Sequence, residues 1–215
     1  MIKKMISGVV VWLVLFVITG MAQASLTRIG TASYQGADYS LIYDDDAELT
    51  WLDYTYQARN GWSATDQWAA SLNGPGVLQY NFYSRVSVSW AEAGWRLPAI
   101  AEYYIGVESK SELGHLFHIE LELTGLGYVS DADLNASEFD NLIAYWYWTE
   151  EDLSALWTGR AMAFALHQGE QNGIPHYAGA YGVAVHPGNV LVVPVPSAIC
   201  LLSFGLIGLL TMRKK

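Results

Sequence analysis

A single cysteine, Cys200, serves the whole 215-residue chain. No intrachain disulfide, Cys-x-x-Cys redox pair or cysteine-ligated zinc site can be built from it. Cationic side chains are scarce as well: 11 lysines and arginines stand against 21 aspartates and glutamates. Lys3, Lys4, Arg213, Lys214 and Lys215 sit at the two ends. The other six basic residues share the middle with all 21 acids, which fall between Asp38 and Glu170, so that stretch carries a net charge of −15. A surface of that sign repels a phosphate backbone and excludes a nucleic-acid partner. No GxSxG, HExxH or glycine-rich phosphate loop occurs, and no internal repeat.

What is present begins with two apolar ends. Lys3-Lys4, the run from Gly8 to Gly20 and the small-x-small site Ala22-Gln23-Ala24 read as a signal peptide over 1–24, with the mature chain starting at Ser25. An uncleaved anchor is the alternative. At the other end, Val193-Pro194-Val195-Pro196 precedes 16 uncharged residues, Ser197 to Met212. As a helix that run measures about 24 Å, slightly short of a ~30 Å hydrocarbon core. Arg213-Lys214-Lys215 then fixes the end in the cytoplasm. These features predict a domain outside an inner membrane, held by one transmembrane helix over 197–212. Between the ends, residues 25–190 suffice for one domain with a substantial core.

Within that domain, Tyr39–Tyr43 and Leu49–Asp53 flank Asp44-Asp45-Asp46-Ala47-Glu48 and read as a β-hairpin around a solvated acidic tip, with ligation of a hard cation by its carboxylates as the alternative. Trp62 to Leu72 predicts a helix with Ser63 as N-cap and Trp68 and Leu72 on one face. Gly94-Trp95-Arg96-Leu97-Pro98 introduces a second helical stretch. Ser109-Lys-Ser-Glu112 reads as a capping box before a stripe of Leu113, Leu116, Phe117 and Leu121. Residues 125–140 read as loop, and 145–149, 160–167 and 181–186 as strands, with a turn over 169–173. Strands at both ends of central helices make the fold α+β, a mostly antiparallel sheet with two or three helices.

Two resemblances follow. Pro194-Val195-Pro196, the short apolar helix and the basic tail over 191–215 resemble the PEP-CTERM sorting signal of Gram-negative bacteria, with Val195 where the glutamate of the name stands. That resemblance implies an exosortase-type membrane protease as partner, an inner-membrane intermediate, and a product at the cell surface or secreted, often beside exopolysaccharide. Leu41-Ile42-Tyr43-Asp44-Asp45-Asp46, Gly94-Trp95-Arg96-Leu97-Pro98, Glu112-Leu113-Gly114-His115-Leu116-Phe117, Tyr145-Trp146-x-x-Thr149-Glu150 and Tyr181-x-x-Ala184-Val185-x-Pro187-Gly188 occur in order. The set resembles the Lcl C-terminal domain family, from a collagen-like adhesin. It implies a C-type-lectin-like fold and a non-enzymatic role in adhesion, biofilm structure or glycan binding.

Candidate chemistry is sparse. Asp131-x-Asp133-x-Asn135 has the alternating oxygens of a calcium loop but Ala136 and Leu142 at the positions of its glycine and bidentate acid, so it is not an EF-hand. Those three residues are the candidate calcium ligands; no other cofactor is expected. Glu112, His115 and His118 occupy i, i+3 and i+6 of one helix, where the outer two lie about 120° apart and do not converge on an ion. Helix packing is the expected role of His115. Tyr145-Trp146-Tyr147-Trp148 alternates faces in a strand, with the tryptophans expected inward and Tyr145 and Tyr147 outward as candidate glycan-stacking rings. Two rivals remain at this point: a carbohydrate-processing enzyme using Glu150 and Glu151, which a strand points apart, and a structural matrix protein with no ligand site.

The tail yields a prediction. Two prolines keep the segment before the helix extended, as a protease beside the membrane requires. Replacing Pro194 and Pro196 with alanine should leave export intact and trap the full-length species in the inner membrane. Intact mass of the surface-exposed protein decides it: a wild-type product that still carries Ser197 to Lys215 shows a simple anchor.

Overall fold

The computed structural model describes residues 26–57, 61–100, 111–123 and 127–192. The expected signal peptide, the Ala22-Ala24-Ser25 cleavage site, the sorting residues and helix 197–212 lie outside the described residues, as does the helical stretch expected beyond Ile100. Among the described residues, no helix is long and apolar enough to cross a membrane.

Strands β1 (Leu26–Tyr34) and β2 (Ala37–Asp44) are joined by Gln35 and Gly36 at φ 51° and 83°. Positive φ at both turn residues gives the twist that suits a two-residue hairpin. Strand β1 lies ahead of the first segment expected as strand, Tyr39–Tyr43, because it alternates without a strong apolar run. Strand β3 (Leu49–Tyr56) pairs antiparallel with β2 across the acidic turn, as expected. After α1 (Trp62–Ser71) come β4 (Gln79–Phe82) and β5 (Val86–Trp90). Helix α2 (Glu112–His115) runs into a π-turn (Leu116–Glu120), and α3 (Asp131–Leu134) follows. The described residues close with β6 (Trp146–Asp152), β7 (Arg160–Ala165), β8 (Glu170–Pro175) and β9 (Gly182–Val192). One six-stranded sheet has the order β4-β1-β2-β3-β9-β5, and a three-stranded sheet the order β6-β7-β8. Every strand pairing in both is antiparallel. The fold is α+β with a mostly antiparallel sheet.

Several local expectations are corrected. Helix α1 starts from Gly61, and Ser63 is inside it, receiving a hydrogen bond from the Gln67 amide. Gly61 has φ 81°, and a Cβ there would strike the His176 carbonyl, which accepts the Trp62 N–H at 2.8 Å. Backbone contact with the turn that follows β8 therefore sets this helix start, not a side-chain cap. At α2 the N-cap is Ser111, whose Oγ accepts the Gly114 N–H at 2.9 Å. Glu112 does not reach back to cap, because Arg96 binds its carboxylate at 2.7 and 2.8 Å and the Ala99 N–H at 2.6 Å. The loop expected over 125–140 contains α3, closed by a capping box between Ser130 and Asp133. The turn expected over 169–173 ends at Gly169; from Glu170 the chain pairs with β7 as β8.

The core lies on both faces of the large sheet. Leu41, Leu52, Trp68, Leu72, Trp95 and Trp148 pack together on one side; Ile42, Trp51, Leu116, Phe117, Phe139 and Tyr147 do so on the other. Double coverage explains why β2 and β3 read as near-continuous apolar runs. It also overturns the outward placement of Tyr147. Strand β6 bridges to Tyr181, the residue before β9, through the Trp148 N–H to Tyr181 carbonyl bond (2.9 Å) and sends Trp148 to one apolar cluster and Tyr147 to the other, both fully buried. Tyr145 does face solvent, 46% exposed, and Trp146 is half-buried.

The Tyr147 hydroxyl is fixed by two neighbours, one of them set in turn by Asn141. Thr55 Oγ1 donates to the Asn141 carbonyl (2.6 Å), so the tyrosine donates to Thr55 (2.9 Å) and accepts the Ile143 N–H (2.9 Å). Burial raises the phenol's pKa despite these bonds. Tyr147→Phe leaves the Ile143 N–H unpaired and is expected to cost about 2 kcal/mol. Calorimetry should then show a fall in Tm of about 4–8 °C.

Candidate functional site

Two places in the described fold gather chemistry. The first is a cleft of about 470 Å³. Its aromatic part is built by the β2–β3 hairpin: Leu41 pairs with Leu52, and two residues further along, Tyr39 and Tyr54 meet edge to face with centroids 4.8 Å apart. Gln57, Asp131, Asn135, Asp140 and Asn141 supply most of its polar lining. The polar segment is held from beneath by β3. Buried Asp53 accepts the Asp140 N–H (3.0 Å), the Asn141 N–H (3.1 Å) and the Asn141 side-chain amide (3.1 Å). Burial pushes the Asp53 pKa up against the downward pull of those donors. From β1, Arg28 adds ion pairs to Asp140 at 2.9 Å and Glu138 at 3.1 Å. The result is a shallow polar trough with tyrosine rings on it and a loop fixed in place.

The candidate calcium residues fall at this cleft or beside it. Asp131 and Asn135 line it; Asp133 belongs to the α3 cap. Asp131 Oδ1 accepts the Ala144 N–H, and Asn135 Oδ1 accepts the Leu142 N–H at 3.0 Å. Asp133 takes the Ser130 N–H (2.9 Å) and hydroxyl (2.6 Å), which hold its carboxyl below the usual range. Asp131 and Asn135 thus fasten α3 to the loop beyond it, and Asp133 closes the cap at its start. Of the candidate stacking rings, Tyr145 lies beside His167 and Tyr181, while Tyr147 is buried away from any surface. Glu150 turns toward Arg96 at 3.8 Å, and neither it nor Glu151 lines the cleft.

The second place was missed by sequence reasoning in its membership. Glu112, His115 and His118 separate: Glu112 goes to Arg96, and His118 Nε2–H donates to the Gly169 carbonyl at 2.8 Å. His115 instead meets Asp44 at 3.7 Å and Glu120 at 3.3 Å. Asp44 stands at the end of β2 and is fully buried, not part of a solvated tip; Asp45, Asp46 and Glu48 alone fit that description. In an α-helix, residues five apart lie about 140° apart around the axis. The Leu121 N–H bonds the Leu116 carbonyl (2.9 Å), an i→i+5 turn that brings His115 and Glu120 to one side. Burial, then the Asp44 charge, pushes the Glu120 pKa up to about 7. Burial likewise raises that of Asp44, against the Ala47 N–H and His115.

No family model matches this chain, and neither a curated protein nor a solved structure matches it.

Asp53 generates the prediction for the cleft. Asp53→Ala removes the acceptor for three N–H groups and is expected to destabilise the protein by about 2–4 kcal/mol. The effect should be local as well: amide hydrogen exchange at Asp140 and Asn141 should speed up more than exchange in β7. Uniform acceleration across both would show that Asp53 does not hold this loop.

Proposed function

We propose that this is an exported, non-enzymatic protein of a bacterial cell surface or extracellular matrix, whose domain binds a glycan in the Tyr39–Tyr54 cleft. The observation that carries the binding reading is the cleft's lining: two tyrosine rings beside Gln57, Asp131, Asp140 and Asn141 in about 470 Å³. Aromatic faces stack on the apolar faces of sugar rings, and planar carboxylates and amides pair with vicinal hydroxyls. The volume suits one or two sugar units. A preformed trough also limits the entropy lost on binding.

Glu150 and Glu151 lie outside the cleft, and the two acids that line it, Asp131 and Asp140, are held by the Ala144 N–H and by Arg28, which favours binding over turnover. The ordered motifs from Leu41 to Gly188 support placing the domain with the Lcl C-terminal family, and the antiparallel α+β frame supports the C-type-lectin-like architecture for it. Export rests on the apolar ends, and sorting by an exosortase-type protease on Pro194-Val195-Pro196 with its basic tail.

A glycan array followed by titration calorimetry tests the binding reading. Wild-type protein is expected to bind a neutral or amino-sugar polysaccharide. Tyr39→Ala and Gln57→Ala should each weaken it at least tenfold, with Tm moving little for the exposed Gln57. Binding unchanged in both variants places the ligand elsewhere, and no binding to any glycan leaves a structural matrix role.

A further inference from the structure

We infer that Asp44, His115 and Glu120 bind one divalent first-row transition-metal ion, of the Zn2+ type, through the imidazole Nε2 and carboxylate oxygens. One ligand atom from each residue lies within 4.8 Å of the other two. Around an ion with bonds of about 2.1 Å, tetrahedral ligand atoms are about 3.4 Å apart. Nε2 stands 3.3 Å from Glu120 Oε1 and 3.7 Å from Asp44 Oδ1. No large rearrangement is required.

The cluster is more than a group of acids. The Asp44 side chain is 0% exposed and that of Glu120 1%. Asp44 Oδ1 is taken by the Ala47 N–H at 2.9 Å, yet Asp44 Oδ2, both Glu120 oxygens and His115 Nε2 are buried without a well-aligned hydrogen bond, with the Trp51 indole N–H beside Asp44 and only the His115–Glu120 contact itself within the group. Four such atoms in one place are exceptional, since buried polar groups are paired almost everywhere else in proteins. Charge makes the same point. Two buried carboxylates call for two positive charges, and the one imidazole supplies at most one. A dication with neutral His115 balances both.

Ligand chemistry selects the ion. An imidazole nitrogen with two carboxylates suits Zn2+ or its first-row neighbours, whereas Ca2+ and Mg2+ favour all-oxygen sets. Neighbouring contacts hold the ligands in place. The Arg96–Glu112 bidentate pair anchors α2 and so His115, and the Ala47 N–H holds Asp44. The exposed Asp45 and Asp46 beside Asp44 draw cations toward the mouth. Bound there, the ion ties the β2–β3 turn to the π-turn.

The test uses the full-length chain, purified in detergent and stripped with a chelator. Zn2+, Mn2+ and Ca2+ are added separately near pH 7.5, with stoichiometry from equilibrium dialysis and elemental analysis, and Tm from calorimetry. One Zn2+ per chain is expected, with Tm raised by about 5–10 °C at hundredfold excess over Kd. Glu120→Gln, close to isosteric, should keep the fold and bind Zn2+ at least tenfold more weakly; Asp44→Asn and His115→Asn should do likewise. Equal Zn2+ binding by wild type and Glu120→Gln puts the ion elsewhere and overturns the assignment. So does an absence of binding with Glu120→Gln at least as stable as wild type, which assigns the site to a shared proton, and so does a response to Ca2+ alone.

Discussion

Strand β9 lies hydrogen-bonded between β3 and β5, and that insertion holds together segments more than a hundred residues apart. Trp51 pairs with Val185 and Leu52 with Ala184, so the early hairpin and the last strand are consecutive members of one sheet. The pairing makes β3 a central strand, covered on both faces. From there the rest follows. Trp51 and Val185 seat α2 and its π-turn on one face, while Leu52 and Ala184 receive Trp68 and Trp148 on the other. Asp53 and Thr55, further along β3, then reach sideways to fasten the Asp140–Asn141 loop.

The β2–β3 hairpin thus feeds both functional places from its two ends. Tyr39 and Tyr54 sit at the open end, on a cleft; Asp44 sits at the closed end, beneath α2. The electrostatic solutions differ. Asp53 is buried with three N–H donors around it, so the charge is dispersed among neutral dipoles. Asp44 and Glu120 are buried with one imidazole between them, an arrangement with too little positive charge for two ionised carboxylates. A protein keeps a site of that kind at a cost in stability, and the π-turn that aligns it belongs to a class of helix irregularity common at functional sites.

The scarcity of surface cations sharpens this contrast. Arg28 and Arg96 are both spent on structure, the one on Glu138 and Asp140, the other on Glu112 and Glu150. With the acids so numerous, the exposed surface is left strongly negative, which suits neutral or cationic ligands better than anionic ones.

Composition and periodicity by themselves determined the α+β class, the hairpin over Tyr39–Asp53, the Trp68/Leu72 face of α1 and the approximate strands of the last third. These are local properties: alternation, apolar runs and turn residues act over a few positions. Burial of Tyr147 was not legible, because alternation says only that Tyr147 and Trp148 face opposite ways and cannot say that both faces are covered. The start at Gly61 was not legible because the His176 carbonyl, far along the chain, holds the Trp62 N–H, and the expected box at Glu112 does not form because Arg96 takes its carboxylate. His115 was visible as a polar residue in an apolar helix, but its partners were not. Asp44 arrives from a strand seventy residues earlier, and Glu120 joins only because the helix loosens by one residue at Leu116. Convergence of that kind depends on which elements pack and how a turn is wound, and only the tertiary structure decides it.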